Sequence, residues 1–212
     1  MKINVKSYWI IITFLSISGT IWTNHLLNVK ELLYNFYSEK LLQEQVENLL
    51  NTQQKWTWLS YTFIPLFLLT RSSLVALCLS IGQFIYNVEN TYKFKQFFRI
   101  ALVGEFVLVL VGFFKLGYFY FKKIDYILED VQQYYPLSII NFLNLKNLEP
   151  WLLYPLQTIN LFEVAYFFVL VYGLWKLLKN EYIKSFEMVM TSYGGGLLIW
   201  LGLVMFLTLN MS

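Results

Sequence analysis

The sequence has little of what most catalytic and metal sites require. It contains one cysteine, Cys78, and one histidine, His25. A single cysteine cannot support a disulfide framework or, alone, a metal site. The chain also has no glycine-rich phosphate loop, no His-Glu-x-x-His and no Gly-x-Ser-x-Gly. These absences predict a protein that is not an enzyme, with no catalytic residue, no metal and no cofactor.

Charge is scarce as well, and apolar residues take its place. Charged residues make up 14% of the chain, against about 25% in soluble domains. The net charge of +3 is too small to indicate a nucleic-acid partner. Hydrophobic residues reach 58%, and they gather into long runs of the kind that cross a bilayer as helices. We therefore expect an all-α polytopic membrane protein with about five transmembrane helices, in contact with membrane lipids.

The hydropathy pattern predicts one membrane domain over residues 1–212. Between the apolar runs, two segments carry apolar residues at helical spacing among polar ones, which is typical of amphipathic helices at a membrane surface or on a bundle. We expect transmembrane helices at about 8–23, 57–86, 99–121, 159–178 and 188–209, and amphipathic segments at 25–52 and 135–156.

Two of these helices leave an alternative open. Residues 56–86 are too many for one upright crossing and too few for two, so we expect a tilted or broken single helix, with a re-entrant hairpin as the alternative. Met1–Thr20 also has the basic start and short apolar core of a signal peptide. It lacks the usual small-x-small alanines, so we expect an uncleaved first helix.

The distribution of Lys and Arg predicts the orientation, because short cytoplasmic loops carry an excess of both. We place the N-terminus in the cytoplasm and let every apolar run cross the membrane once. The outer loops are then longer than the inner ones and contain fewer Lys and Arg for their length. A hairpin within 56–86 would invert everything after it. The inner side holds Lys2, Lys6, Lys93, Lys95, Arg99, Lys176, Lys179 and Lys184, and the outer side Lys30, Lys40, Lys55, Lys122, Lys123 and Lys146.

Four ionisable residues fall inside the predicted membrane helices: Arg71, Glu105, Lys115 and Glu163. Each costs at least about 2.5–3.5 kcal/mol to insert, so such residues usually face the bundle interior and have partners. The rise per residue places Arg71, Lys115 and Glu163 in one outer-half layer. Glu105 is expected nearer the cytoplasm. This layer is interpreted either as buried pairs that fix helix register or as a polar pathway or headgroup site.

The amphipathic segments present more apolar surface than a monomer of this size needs, and large exposed apolar patches mark interaction or membrane surfaces. We expect them to form a docking face. Its candidate residues are Leu33, Phe36, Tyr37, Trp151 and Tyr154.

Two stretches resemble a known family. Tyr92–Phe106 reads YKFKQFFRIALVGEF, and Pro136–Leu174 reads PLSIINFLNLKNLEPWLLYPLQTINLFEVAYFFVLVYGL. Over about residues 56–210 the chain is similar to the bacterial branch of the Yip family, Rab-interacting-protein-like membrane proteins of five helices. Family members often have a longer soluble start, whereas residues 24–55 are inserted here after an early first helix.

The resemblance implies an adaptor or scaffold. Eukaryotic relatives recruit small GTPases in vesicle traffic, and a bacterium-like chain lacks those partners, so no residue role is carried over. We expect a non-catalytic adaptor or subunit that binds other membrane proteins, in a cell membrane of the bacterial inner-membrane type. The alternative is a small transporter or permease subunit that uses the buried charges, and an intramembrane lipid-modifying enzyme has the least support.

Overall fold

The computed structural model describes residues 5–88, 92–121, 125–144 and 148–211, and within these ranges the chain is helical and contains no strand. Lys2, Lys122, Lys123 and Lys146 of the orientation argument lie outside the described residues. A 3-10 turn covers Ile139–Phe142 and a π-helical turn covers Met190–Gly194. The α-helices are α1 Val5–Leu26, α2 Val29–Ser38, α3 Gln43–Ile85, α4 Phe94–Phe121, α5 Leu128–Gln133, α6 Pro150–Thr158, α7 Leu161–Leu178, α8 Tyr182–Val189 and α9 Gly195–Met211.

Five helical stretches are long and apolar enough to cross a membrane, among the described residues. They are α1, α3, α4, α7 and the run Tyr182–Asn210, which joins α8 and α9 through the π turn. The predicted all-α class and the number of apolar helices are confirmed at this level.

The predicted amphipathic segment 25–52 is not a separate unit. It divides into α2 and the first turns of α3, and α3 then continues unbroken through Pro65 to Ile85. At about 1.5 Å per residue, the 43 residues of α3 span about 64 Å. The re-entrant hairpin considered for residues 56–86 is therefore wrong, because the helix runs without interruption from Trp56 to Ile85.

The helix order places the connections at two ends of the bundle. Here, α2 and residues 43–54 of α3 are called the hairpin, and the end where they lie is called the hairpin end. Helix α4 returns to that end, since its Leu116 and Phe119 pack with Leu27 and with Val131 of α5. The connection between α7 and α8 lies at the opposite end, as do the last turn of α3 and the first turn of α4.

Helix α4 occupies the centre of the bundle, where it contacts α1, α3 and α7. Its buried Phe97 and Ala101 join a core with residues of α3, α7, α8 and the π turn. Helix α9 behaves differently, because none of its described residues is buried. It packs mainly against α6, where Trp200 Nε1 donates a hydrogen bond of 2.9 Å to the Tyr154 hydroxyl.

Candidate functional site

Arg71 of α3 joins two carboxylates from two other helices. Its Nε lies 3.6 Å from Oε1 of Glu105 on α4, and its Nη2 lies 3.6 Å from Oε2 of Glu163 on α7. The side chain of Arg71 is 46% exposed, whereas that of Glu105 is 2% exposed and that of Glu163 is 13% exposed. We call Arg71, Glu105 and Glu163 the charge cluster. One buried and one mostly buried acidic group thus share one half-exposed guanidinium.

The start of α7 fixes the position of Glu163. Asn160 is the N-cap residue, and its Oδ1 accepts a hydrogen bond of 2.8 Å from the Glu163 backbone N–H. Such a cap satisfies one of the free N–H groups of the first turn. A carboxylate in that turn also interacts favourably with the positive end of the helix dipole. The local sequence Asn-Leu-Phe-Glu therefore both begins the helix and positions the acid.

A glycine beside Glu105 lets α7 approach α4 closely. A Cβ atom built on Gly104 would lie 2.5 Å from Cε2 of Tyr166, closer than real Cβ contacts. The ring of Tyr166 is fully buried against this gap, and Cζ of Arg71 lies 5.6 Å from its centroid. The Tyr166 ring thus forms an aromatic wall between the helices of the charge cluster.

Two more tyrosines face the cluster from other elements. Tyr193, in the π turn, donates a hydrogen bond from its hydroxyl to Oε1 of Glu163. Tyr135 precedes the 3-10 turn. Burial raises the pKa of the Tyr135 phenol, and the charges of Arg71 and Glu163 shift it in opposite directions, so Tyr135 lies within electrostatic reach of both.

The predicted charge layer needs two corrections in its membership, one for Glu105 and one for Lys115. Arg71 and Glu163 lie at the same level, about 21 and 22 Å from the ends of α3 and α7 opposite the hairpin. Glu105 lies at this level too, although it was expected nearer the cytoplasm. The reason is that α4 begins at Phe94 and not near residue 99, so Glu105 lies about 16 Å along the helix.

Lys115 was expected in the layer but lies ten residues beyond Glu105 on α4, about 15 Å further along the axis. It is half-buried, and the ion pairs of the described residues do not include it. The prediction that Lys115 shares this layer is wrong, since the earlier start of α4 carries it further toward the hairpin end.

Sequence reasoning missed the tyrosines and Gly104. Tyr166 had a signal, because residues three apart lie on the same helix face and Glu163 was already a candidate. Tyr193 had none that we recognise, because the π turn sets its direction. Tyr135 lies at the start of the predicted amphipathic segment 135–156, outside the predicted membrane helices, and only the fold brings its loop near the cluster.

The predicted docking residues lie on two separate elements. Leu33, Phe36 and Tyr37 lie on α2, which packs against α3 and α5. Trp151 and Tyr154 lie on α6, which packs against α9 and the 3-10 turn. The predicted segment 135–156 is therefore mixed in structure, with a 3-10 turn and a short helix in place of one amphipathic helix.

Two open depressions in the surface of the described residues lie at the hairpin, away from the charge cluster. One has a volume of about 500 Å³ and lies where α1, α2 and α3 meet, lined by residues that include His25, Glu31 and Leu50. The other has a volume of about 560 Å³ and is an open groove between α2 and α3. It is lined by Tyr37, Asn48, Leu49, Thr52 and Gln53.

The described residues contain no group of three or more His, Cys, Asp or Glu side chains placed to hold a metal ion. Comparisons with known proteins found no matching family model and no similar curated protein or solved structure. The resemblance to the Yip family, read from the two quoted stretches, therefore stays a prediction.

Proposed function

We propose that this chain is a non-catalytic, multi-pass membrane protein that binds another membrane protein through its hairpin. Helix α3 is about 64 Å long, and the hydrocarbon core of a bilayer is about 30 Å thick. Residues 43–55 are rich in Gln, Glu and Asn, and Trp56 and Trp58 follow them as interfacial aromatic anchors do. The hairpin would then project from the membrane.

The position of the two open depressions carries this proposal. Both lie on the hairpin, and the open groove brings an aromatic ring, Tyr37, together with the aliphatic Leu49 and three polar side chains. Interfaces combine apolar anchors with polar groups in this way. A helix or loop of a membrane-protein partner fits the groove, and the resemblance to a family of membrane adaptors agrees with that role.

Site-specific photocrosslinking tests the proposal. A photoreactive amino acid at Thr52 in the groove should give one discrete adduct with a membrane protein in native membranes. Leu49→Gln should abolish that adduct, because it removes an apolar anchor from the groove. Leu42→Gln is the matched control, since Leu42 is more exposed but does not line the groove, and it should leave the adduct unchanged. Equal loss in both variants, or no adduct, would contradict the proposal.

A transporter or permease subunit is the second candidate, and the convergence of Arg71, Glu105 and Glu163 favours it. Charged residues inside membrane helices often mark substrate or ion pathways. One variant distinguishes the adaptor from the transporter subunit. Glu163→Gln should stop transport by the assembly while the Thr52 adduct still forms, whereas a pure adaptor keeps both the adduct and its cellular function.

A further inference from the structure

The charge cluster contains one more acid than base. Arg71 contributes one positive charge, and Glu105 and Glu163 contribute two carboxyl groups within 3.6 Å of it. Among the described residues, the other titratable groups near the cluster are tyrosines: Tyr166 from α7, Tyr193 from the π turn and, within electrostatic reach, Tyr135 from the loop before the 3-10 turn. With both carboxyls ionised, the cluster would hold one uncompensated negative charge.

Burial makes that charge costly. Glu105 is almost completely buried and Glu163 is mostly buried, and an uncompensated ionised carboxylate away from water normally becomes neutral by binding a proton. Two carboxylates that share a site likewise cannot both ionise without mutual repulsion. The single guanidinium offsets one of these charges and leaves the other.

A second observation points to an unfilled hydrogen bond at the same place. The Tyr166 hydroxyl and Oε1 of Glu105 are both buried, and neither has a hydrogen-bond partner within the described residues. The Tyr166 hydroxyl lies beside the Glu105 carboxyl. A protonated Glu105 has an O–H group that can donate to the Tyr166 hydroxyl, whereas an ionised Glu105 would accept from that hydroxyl. The buried contact therefore accommodates a proton on Glu105, and the excess of acid over base in the cluster is what calls for one.

We propose that Glu105 and Glu163 together bind one proton against Arg71, which makes the charge cluster a proton-binding site inside the bundle. In this state one carboxyl carries the proton as an O–H group, and the other remains an anion paired with Arg71. The Tyr193 hydroxyl donates to Glu163 and stabilises its anion, and Glu105 is the more deeply buried of the two carboxyls, so Glu105 is the residue that holds the proton for most of the time. The inference does not depend on the proposed protein partner.

Infrared spectroscopy of the purified full chain at neutral pH tests the proposal. The detergent must lack ester groups, whose C=O band would overlap the one sought. The wild-type chain should show the C=O stretching band of one protonated carboxylic acid, and the band should shift in heavy water. Glu105→Gln and Glu163→Gln should each abolish it. In either variant one carboxyl remains beside Arg71, so the charges balance without a proton.

Glu181→Gln is the matched control, because Glu181 is exposed and pairs only with Lys184 among the described residues. It should leave the band unchanged. A wild-type spectrum without the band would overturn the proposal. Survival of the band in either cluster variant would also overturn it, since the proton would then not depend on both carboxyls. If Glu163→Gln does not fold, the loss or survival of the C=O band in Glu105→Gln alone decides the outcome.

Discussion

At the scale of single residues, Gly104 determines how closely α7 can approach α4 beside Glu105. The absence of a side chain leaves room for the Tyr166 ring, which in turn lies against Arg71. Tyr166 is fully buried, so it cannot move away from an added atom into solvent. The geometry of the charge cluster therefore depends on a residue that carries no charge.

Gly104→Ala should destabilise the bundle. Its Cβ would lie 2.5 Å from the Tyr166 ring, and overpacking of this kind typically costs about 1–3 kcal/mol. Gly112→Ala on the same helix is the control, because a Cβ added there would meet no described atom within 4 Å beyond the adjacent residues and the local helix backbone. Alanine there should be neutral or stabilising by up to about 1 kcal/mol. Thermal unfolding in detergent measures both, and equal midpoints for the two variants would contradict this role of Gly104.

The sequence allowed part of the charge cluster to be predicted. Arg71 and Glu163 were correctly placed at one level, because the ends of their helices lie near the expected positions. The rise per residue then gives the depth of each side chain along its helix. Glu105 was misplaced because its helix was predicted to begin at about residue 99, whereas α4 begins at Phe94 and includes Lys95. A helix boundary error of five residues thus moved one side chain out of the cluster.

At the scale of helices, α3 is the element that the sequence described least well. Its polar first turns and its apolar remainder suggested two units, because composition changes sharply near Trp56. The backbone does not follow that change. Helix formation is cooperative, and the range contains no glycine before Gly82 and only Pro65 as a helix breaker. The result is one continuous helix, which we expect to connect the hairpin rigidly to the bundle.

Spin labels at Gln45 and Ile81 test this rigidity. The two positions are 36 residues apart in one helix, so their backbones should lie about 54 Å apart, and both side chains are exposed enough to carry a label. Pulsed electron–electron double resonance should give one narrow distribution of distances between the two labels, near that value. A main population at less than half of it would show that α3 folds back on itself.

At the scale of the whole molecule, the five apolar stretches alternate in direction, so the chain divides its polar parts between two ends. The hairpin, α5 and α6 lie at one end, and the short connection between α7 and α8 lies at the other. The division follows because each of the five stretches runs once from one end of the bundle to the other, and the unbroken α3 supports this arrangement. Which end faces the cytoplasm is a separate prediction, and it depends on the basic residues.

Among the described residues, the end opposite the hairpin carries Lys6, Lys93, Lys95, Arg99, Lys176, Lys179 and Lys184. These lie close to the ends of the apolar helices, where the positive-inside rule applies. We therefore expect that end in the cytoplasm and the hairpin outside. Single cysteines at Gln45 and Glu181, in a Cys78→Ala background, should respond differently to a membrane-impermeant maleimide. Gln45 should react in intact cells, and Glu181 only after permeabilisation. The reverse pattern would show that the orientation is wrong, and reaction of both in intact cells would contradict the placement of the two sites at opposite ends.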